Sequence, residues 1–197
     1  MTTTGRVRNQ RGEGERLRAA LLDAAGELLA EARDVDELSV RAVTARAGVS
    51  PTALYLHFAD KDDLIRAVKV RSFAALGEAI AAGQAEAADD PREQLRAGCR
   101  AYLRFAREQP GTYAILFHTQ NMPPKRRRGG SSGAGMDVFQ MLVDGVARVV
   151  SDDESVFDLA CVLWMALHGR AVVAFAMPHF PFPDEDRFVA LLVDELR

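Results

Sequence analysis

The side chains that most often carry out catalysis or hold metals are sparse in this chain of 197 residues. Its four histidines have no zinc-ligand spacing, and its two cysteines form no CxxC motif. Residues 129–133 match the GxSxG pattern of a hydrolase nucleophile, but that motif works only between a strand and a helix, and here it lies in a Gly- and Ser-rich stretch. No HExxH, Walker or dinucleotide-binding motif is present. We therefore expect that the chain is not an enzyme and uses no cofactor and no metal.

The two cysteines, Cys99 and Cys161, each lie within an apolar helical pattern. Reduced cysteine packs as a small hydrophobic residue, so we interpret both as buried free thiols; a redox-sensing pair is the alternative. The N-terminus is polar and basic, unlike a signal peptide, and the uninterrupted apolar run at residues 171–177 is too short to span a membrane. These features indicate a cytoplasmic protein without a membrane partner.

Residues 38–64 carry the pattern that is most informative about function. Two short helices are predicted there, joined by the Ala-Gly-Val-Ser of residues 47–50, in which glycine permits a sharp turn. In the second helix, Leu54 and Phe58 recur at helical spacing and should point into a three-helix core. An unusual mixture of side chains falls on the opposite side: Pro51, Thr52, Tyr55 and Leu56. The pattern predicts a helix-turn-helix whose second helix, capped by Ser50, is free to lie in the major groove of DNA.

Three short motifs in this segment are specific in combination: Val40-x-x-Val43-x-x-x-Ala47-Gly48-Val49-Ser50, then Leu54-Tyr55-x-His57-Phe58, then Asp60-Lys61-x-x-Leu64. They resemble the tetracycline-repressor (TetR) family of bacterial regulators, closely over about the first seventy residues. The resemblance implies that Tyr55 and Lys61 contact DNA phosphates and that His57 lies at the backbone edge. It places Thr52 and Leu56 nearest the bases. The expected DNA-binding residues are Ser50, Pro51, Thr52, Ala53, Tyr55, Leu56, His57, Lys61, Arg41, Arg6 and Arg8.

One position in the second helix departs from the family pattern. Many members have Gly-Thr or Thr-Thr before Leu-Tyr, whereas this chain has Thr52 and Ala53. Ala53 has no side-chain donor for a phosphate, so we expect that common contact to be absent. Ala53 and Leu56 are instead suited to apolar contact with thymine methyl groups.

The basic residues are unevenly distributed along a chain whose formal net charge is −3. DNA binding depends on the local patch of charge, so the net charge excludes nothing. Arg6, Arg8 and Arg11 resemble the basic arms with which some family members reach the minor groove; a solvated tail is the alternative. The basic run at residues 125–128 is interpreted as a solvated loop tip, with a second phosphate contact as the alternative.

Helical periodicity dominates the chain, and no strand pattern is found. The predicted fold is all-α with about nine helices, in which an N-terminal three-helix helix-turn-helix unit precedes a C-terminal helical domain for ligand binding and dimerisation. We place a basic flexible arm at residues 1–12, the DNA-binding domain at 13–66 and the second domain at 67–197. Residues 121–135, rich in Pro, Arg, Gly and Ser, are predicted to be a mobile loop.

The helix predicted over residues 153–177, opened by a Ser151–Glu154 capping box, is apolar on nearly all sides. Such a helix is buried on several sides, here against the core and against a partner subunit. Its Trp164 and His168-Gly169 resemble a TetR subfamily with a Trp-and-His-Gly (WHG-type) C-terminal domain. The family resemblance also implies a homodimer, in which the last two helices of each subunit form a four-helix bundle. The expected interface residues are Leu163, Ala166, Gly169, Val173 and Leu192.

A small-molecule site needs apolar walls and a few polar groups. The candidate ligand-binding residues are concentrated in the second half of the chain: Tyr102, Phe105, Tyr113, Phe117, Phe139, Trp164 and His168. Each taken alone fits an ordinary core residue, and a histidine on an apolar face is more often a hydrogen-bonded core residue than a ligand contact. Their concentration favours a cavity for an effector that is largely apolar or aromatic.

Together these patterns predict a homodimeric regulator, by default a repressor, that binds a palindromic operator in double-stranded DNA and is released by a small effector. The helix carrying Leu64, Val68 and Ile80 would transmit the effect of the ligand. A helical protein-interaction module is the alternative, but it gives no reason for a tyrosine at Tyr55 and a lysine at Lys61.

Overall fold

A computed structural model of the chain describes residues 13–32, 35–117, 131–151 and 155–196. Over these residues the fold is all-α, with nine α-helices and no strand, which confirms the predicted fold class. The chain divides into two compact units, with the division after Val68. Each unit is described below by itself.

The first unit contains three helices and the beginning of a fourth. They are α1 (Glu13–Glu31), α2 (Val40–Arg46), α3 (Pro51–Tyr55) and the first part of α4 (Lys61–Ala85). Helix α1 packs against α2, and α2 packs against α3. The most deeply buried side chains include Leu21 of α1, Val43 of α2 and Leu54 of α3, all fully buried. Burial of these apolar side chains stabilises a three-helix arrangement that is too small to fold from helix propensity alone.

The second unit contains the rest of α4 and five further helices. They are α5 (Pro91–Glu108), α6 (Pro110–Phe117), α7 (Ser131–Ala147), α8 (Val156–Ala176) and α9 (Glu185–Val193). Helix α5 is central, because it packs against α6, α7, α8 and α9. At its start the Asp90 side chain accepts a hydrogen bond from the Glu93 amide at 3.0 Å, and Pro91 occupies the first turn. Its apolar stripe, Leu95, Cys99, Tyr102 and Ala106, lies in the core of the unit.

Arginines on α5 hold α9 in place. Arg92 donates hydrogen bonds to the carbonyl group of Val193, the last residue of α9, and to that of Leu196, which follows the helix. Three ion pairs follow along the same two helices: Arg96 with Asp194, Arg100 with Asp186, and Arg107 with Glu185. Helical periodicity does not reveal these pairs, since the partners are far apart in the sequence.

The predicted loop over residues 121–135 is partly wrong. Residues 131–135 belong to the first turns of α7, while residues 121–130, with the basic run, lie outside the described residues. A Cβ atom at Gly135 would lie 3.2 Å from the ring of Phe73 on α4, so α7 approaches α4 closely at this point. Tertiary packing therefore sustains a helix in a segment whose composition disfavours one.

Helix α8 starts three residues after its predicted start at 153. The predicted Ser151–Glu154 capping box is not present among the described residues, since 152–154 lie outside them. Ser155 takes the N-cap position but makes no side-chain capping hydrogen bond.

By length and composition α8 is able to cross a membrane, since an 18-residue window has a mean hydropathy of 1.7. The expectation based on the length of the apolar run at residues 171–177 did not foresee this. The core helix of a soluble protein passes the same test, and Ala160, Leu163 and Leu167 of α8 pack in the core of the second unit. Only 17% of the window is buried by the residues that the structure describes.

Candidate DNA-binding surface and effector site

The turn between α2 and α3 depends on one glycine. Gly48 has a φ of +68°, a left-handed conformation that side-chain-bearing residues rarely adopt. On one side of the turn, the Ser39 hydroxyl caps α2 by accepting a hydrogen bond from the Ala42 amide at 3.1 Å. On the other side, Ser50 is the N-cap of α3 by position, but its side chain makes no capping bond, which corrects the prediction. The Ala53 amide that it would have capped instead donates to the Ser50 carbonyl at 3.0 Å.

Helix α3 has the two faces that its sequence predicts. Leu54 and Phe58, on the inner side, are 0% and 2% exposed. The outer side is exposed, with Ala53 only partly so, and carries Pro51, Thr52, Tyr55 and Leu56. Tyr55 is 56% exposed and Leu56 is 76% exposed, so both are available to a partner of the helix.

The remaining residues expected to bind DNA lie around α3. Lys61 begins α4, and its ammonium group donates a long hydrogen bond of 3.5 Å to the Asp36 carbonyl. Arg41 is exposed on α2. His57 is half-buried beside the start of α1, where a Cβ atom at Gly14 would lie 3.6 Å from its ring. The Arg6 and Arg8 positions lie outside the described residues.

Two basic residues near this surface were missed from the sequence. The guanidinium group of Arg18 on α1 lies over the Phe58 ring, 5.2 Å from its centroid. Arg46 at the end of α2 pairs with Glu27 at 3.0 Å and with Glu31 at 3.5 Å, and hydrogen bonds to these carboxylates raise its pKa. The second arginine thus joins α2 to α1 and is already engaged. In the sequence, only the helical spacing of Glu27 and Glu31 on α1 could have indicated these ion pairs.

Six of the seven predicted ligand-binding residues form one aromatic cluster in the second unit. Phe117 is at its centre, with ring centroids 4.2 Å from His168, 5.2 Å from Tyr113 and 6.4 Å from Trp164. The cluster continues from Trp164 to Phe139, at 6.0 Å, and from Tyr113 to Tyr102, at 5.8 Å. We call these six residues the aromatic cluster: Tyr102, Tyr113, Phe117, Phe139, Trp164 and His168.

The seventh predicted residue, Phe105, is 3% exposed and lies in the core rather than in a described ring contact with the cluster. Two phenylalanines that were not predicted adjoin the cluster instead. Phe73 of α4 lies 6.3 Å from Phe117, and Phe157 of α8 lies 5.7 Å from Phe139, both edge to face. Their contacts depend on how α4, α6, α7 and α8 pack, which the sequence does not show.

Hydrogen bonds connect the polar groups of the aromatic cluster. The Tyr102 and Tyr113 hydroxyls are 2.8 Å apart, and the Tyr113 hydroxyl is 2.7 Å from Nδ1 of His168. Burial raises the pKa of Tyr102 to about 12 and raises that of Tyr113 well above its usual value. Burial also lowers the pKa of His168, so its imidazole is neutral at pH 7. The described cluster residues are therefore uncharged and interact through rings and hydrogen bonds.

The outer face of α8 is apolar and exposed. Val162, Met165 and Val172 are 57%, 58% and 47% exposed, and they lie on the side of α8 away from the core. Gly169 lies on the same side, with no atom within 4 Å of a Cβ atom placed there. An exposed apolar stripe of this kind is typical of interaction surfaces.

The predicted interface residues divide between the core and this outer face. Gly169 and Val173 are on or beside the outer face, and Ala166 is half-buried. Leu163 is 2% exposed within the subunit core, so its assignment to the interface is wrong. Leu192 also packs against the core, whereas its neighbour Leu191 is 59% exposed. A helix that is apolar all round does not show by sequence alone which apolar side faces its own core.

Two family models match the chain. The C-terminal domain of tetracycline-repressor-like proteins matches residues 95–196, which is more than half of the chain. The model of the bacterial regulatory proteins of the tetR family matches residues 21–68. The chain belongs to the TetR family.

TetR-family relatives are similar over most of this chain. The HTH-type transcriptional repressor Rv1353c of Mycobacterium tuberculosis is 26% identical over 173 residues, which are 88% of this chain and 63% of the repressor. The chain thus spans less than two thirds of the length of this curated relative. A solved protein of unknown function from Rhodococcus sp. RHA1 is 26% identical, with a TM-score of 0.76 over 94% of this chain and 96% of its own. A TetR-like transcriptional regulator from the same organism has 24% identity and a TM-score of 0.64, with 95% of each chain covered, and shows the shared fold.

The two matching models describe bacterial regulatory proteins of the tetR family and tetracycline-repressor-like C-terminal domains, and neither is a family of enzymes. The GxSxG match ends within α7, at residues 131–133, and the described residues contain no strand to precede it. No group of residues suited to a metal ion occurs among the described residues.

The two cysteines differ in environment. Both are free thiols, as predicted, and Cys99 is buried in the core, where burial raises its pKa to about 12. Cys161 is only partly buried, which corrects the expectation for that residue.

Proposed function

We propose that this TetR-family protein is a cytoplasmic, homodimeric repressor that binds a palindromic operator and is released by a small effector. The observation that carries the proposal is the exposed outer side of α3, which projects from a folded three-helix unit. Its Tyr55 and Leu56 side chains are large, partly apolar and uncovered, although the helix is anchored by a completely buried Leu54. Such a helix at the surface of a helix-turn-helix is suited to the major groove.

The proposed contacts divide by chemistry. The Tyr55 hydroxyl and the Lys61 ammonium group bind phosphates, which fixes the position of the protein without reading sequence. The α3 side chains nearest the bases are Thr52, Ala53 and Leu56. The same contact with DNA includes Ser50, Pro51, His57 and Arg41. Arg6 and Arg8 reach into the adjacent minor groove.

The proposed dimer is formed through the outer face of α8 together with α9. Covering this face removes exposed apolar surface from water, as in the interfaces of obligate homodimers. Gly169 permits close approach of the two α8 helices, with Ala166 and Val173 within about one turn of it, and α9 contributes the exposed Leu191. A two-fold dimer places its recognition helices about 34 Å apart, or a multiple of that distance, and so selects a palindromic site.

The proposed effector site is the aromatic cluster. Its rings suit an aromatic or apolar molecule, and its tyrosine hydroxyls and neutral histidine suit hydrogen bonding rather than ion pairing. Phe117 of the cluster contacts Phe73 of α4, and α4 also begins with Lys61 in the first unit. An effector that shifts Phe117 therefore acts on the helix that joins the two units, and release requires coupling of about 1–3 kcal/mol.

The test is binding to the DNA that flanks the gene, measured by fluorescence anisotropy with an unrelated duplex as competitor. We expect saturable, sequence-specific binding and a palindromic footprint, with Kd of about 10⁻⁸ M or below at physiological salt. A screen of aromatic compounds, monitored through the single tryptophan, Trp164, should then find ligands that lower operator affinity. Absence of sequence-specific binding would overturn the proposal and favour a protein-interaction module.

A further inference from the structure

The recognition helix lacks the side chains that usually read base edges. Residues 51–57 have the sequence Pro-Thr-Ala-Leu-Tyr-Leu-His, without Arg, Lys, Asn, Gln, Asp or Glu. Those six types make most specific hydrogen bonds with guanine, adenine and cytosine in the major groove. Sequence recognition through α3 therefore depends on the Thr52 hydroxyl and on apolar surface.

Leu56 provides most of that apolar surface. It is 76% exposed, against 56% for Tyr55, and it is the more exposed of the two large side chains on the outer side of α3. It follows Thr52 by four residues, so both side chains lie on one side of the helix. The Leu56 backbone is helical, with φ of −73° and ψ of −20°, which holds the side chain in a defined direction. Since Leu56 is exposed, it contributes little to the stability of the free protein.

The major groove presents one apolar group to such a side chain, the 5-methyl group of thymine. Contact between Leu56 and this methyl group removes both from water, and cytosine, guanine and adenine carry no methyl group in the major groove. We infer that Leu56 recognises a thymine methyl group in each half of the operator. This inference rests on the proposed DNA-binding function.

The test removes the methyl group without changing base pairing. Each thymine of the operator is replaced in turn, symmetrically in both halves, by deoxyuridine, and affinity is measured for the wild type and for Leu56→Ala. At one symmetric position the wild type should lose about fourfold in affinity per half-site, the factor that corresponds to one buried methyl-sized group. Leu56→Ala should bind the normal operator more weakly by at least that factor, and should be indifferent to deoxyuridine at that position.

Met136→Ala is the matched control, since Met136 is 54% exposed on α7, outside the helix-turn-helix. It should keep both the affinity and the deoxyuridine response of the wild type. Thermal unfolding of Leu56→Ala should match that of the wild type, which shows that its fold is intact. Specific binding with no deoxyuridine position that depends on Leu56 overturns this inference alone. Absence of specific binding by the wild type overturns the proposed function, and this inference with it.

Discussion

The Tyr113 hydroxyl lies 2.7 Å from Nδ1 of His168, which joins the short helix α6 to α8 by a hydrogen bond. The same hydroxyl is 2.8 Å from that of Tyr102, so one side chain bridges α5, α6 and α8. Helix α6 has only eight residues, too few to be stable by itself. Its position, and with it that of Phe117, therefore depends on this bridge and on the packing of its apolar residues.

Replacing Tyr113 by Phe should destabilise the protein. The ring is kept, but the polar groups of Tyr102 and His168 lose a partner, at a cost of about 1–3 kcal/mol in the free energy of unfolding. Tyr102→Phe leaves the hydrogen bond between Tyr113 and His168 in place and should cost less. Urea unfolding followed through Trp164 fluorescence measures both, and equal stability of Tyr113→Phe and the wild type would contradict the bridging role.

The stability of the protein should fall in mild acid because of His168. Its pKa is lowered in the folded state, so as the pH drops below about 6.5 the unfolded chain takes up a proton before the folded chain does. The stabilisation is therefore complete above that pH and is lost as the pH falls through the lower, folded-state pKa. Urea unfolding at pH 7.5 and 5.5 should show a larger decline for the wild type than for His168→Gln.

His179→Gln is the control for this measurement, since His179 is exposed in the segment between α8 and α9. It should show the same pH dependence as the wild type. If His168→Gln also behaves as the wild type does, the acid sensitivity has another source.

Removing either phosphate-binding side chain should weaken DNA binding at every sequence. Tyr55 is 56% exposed and the hydrogen bond from Lys61 to Asp36 is long, so neither Tyr55→Ala nor Lys61→Ala should change the unfolding temperature by much. Lys61→Ala should also reduce the slope of log affinity against log salt by about one per subunit. Anisotropy titrations at several salt concentrations decide this, and unchanged operator affinity in both variants would exclude the assignment.

A charge on the outer face of α8 should prevent dimerisation. Met165 is 58% exposed in the single subunit, so Met165→Glu is compatible with the subunit fold but would bury an unpaired carboxylate in the dimer. We expect monomers by light scattering at micromolar concentration, together with loss of operator binding. Met136→Glu, at a similarly exposed methionine on α7, should remain dimeric. A wild type that is itself monomeric would refute the proposed interface.

The helix-turn-helix was predictable in detail because its signals are local. Ser39 caps α2 through an amide three residues away, Gly48 supplies the one left-handed backbone angle, and Leu54 and Phe58 are spaced by one helical turn. Capping and periodicity depend on residues that are close together in the sequence, and so the two short helices, the turn between them and the inner side of α3 follow from the sequence.

The sequence by itself determined the helical fold class, the family resemblance and the set of aromatic residues from which the cluster is built. Only the tertiary structure decided that Leu163 faces the core, that Phe73 adjoins the aromatic cluster, and that Arg92 binds the end of α9. An apolar stripe does not specify its partner, and an arginine does not specify its acceptor. Long-range packing decides both, because several helices are able to cover the same apolar surface. The arrangement that buries most of that surface is the most stable one.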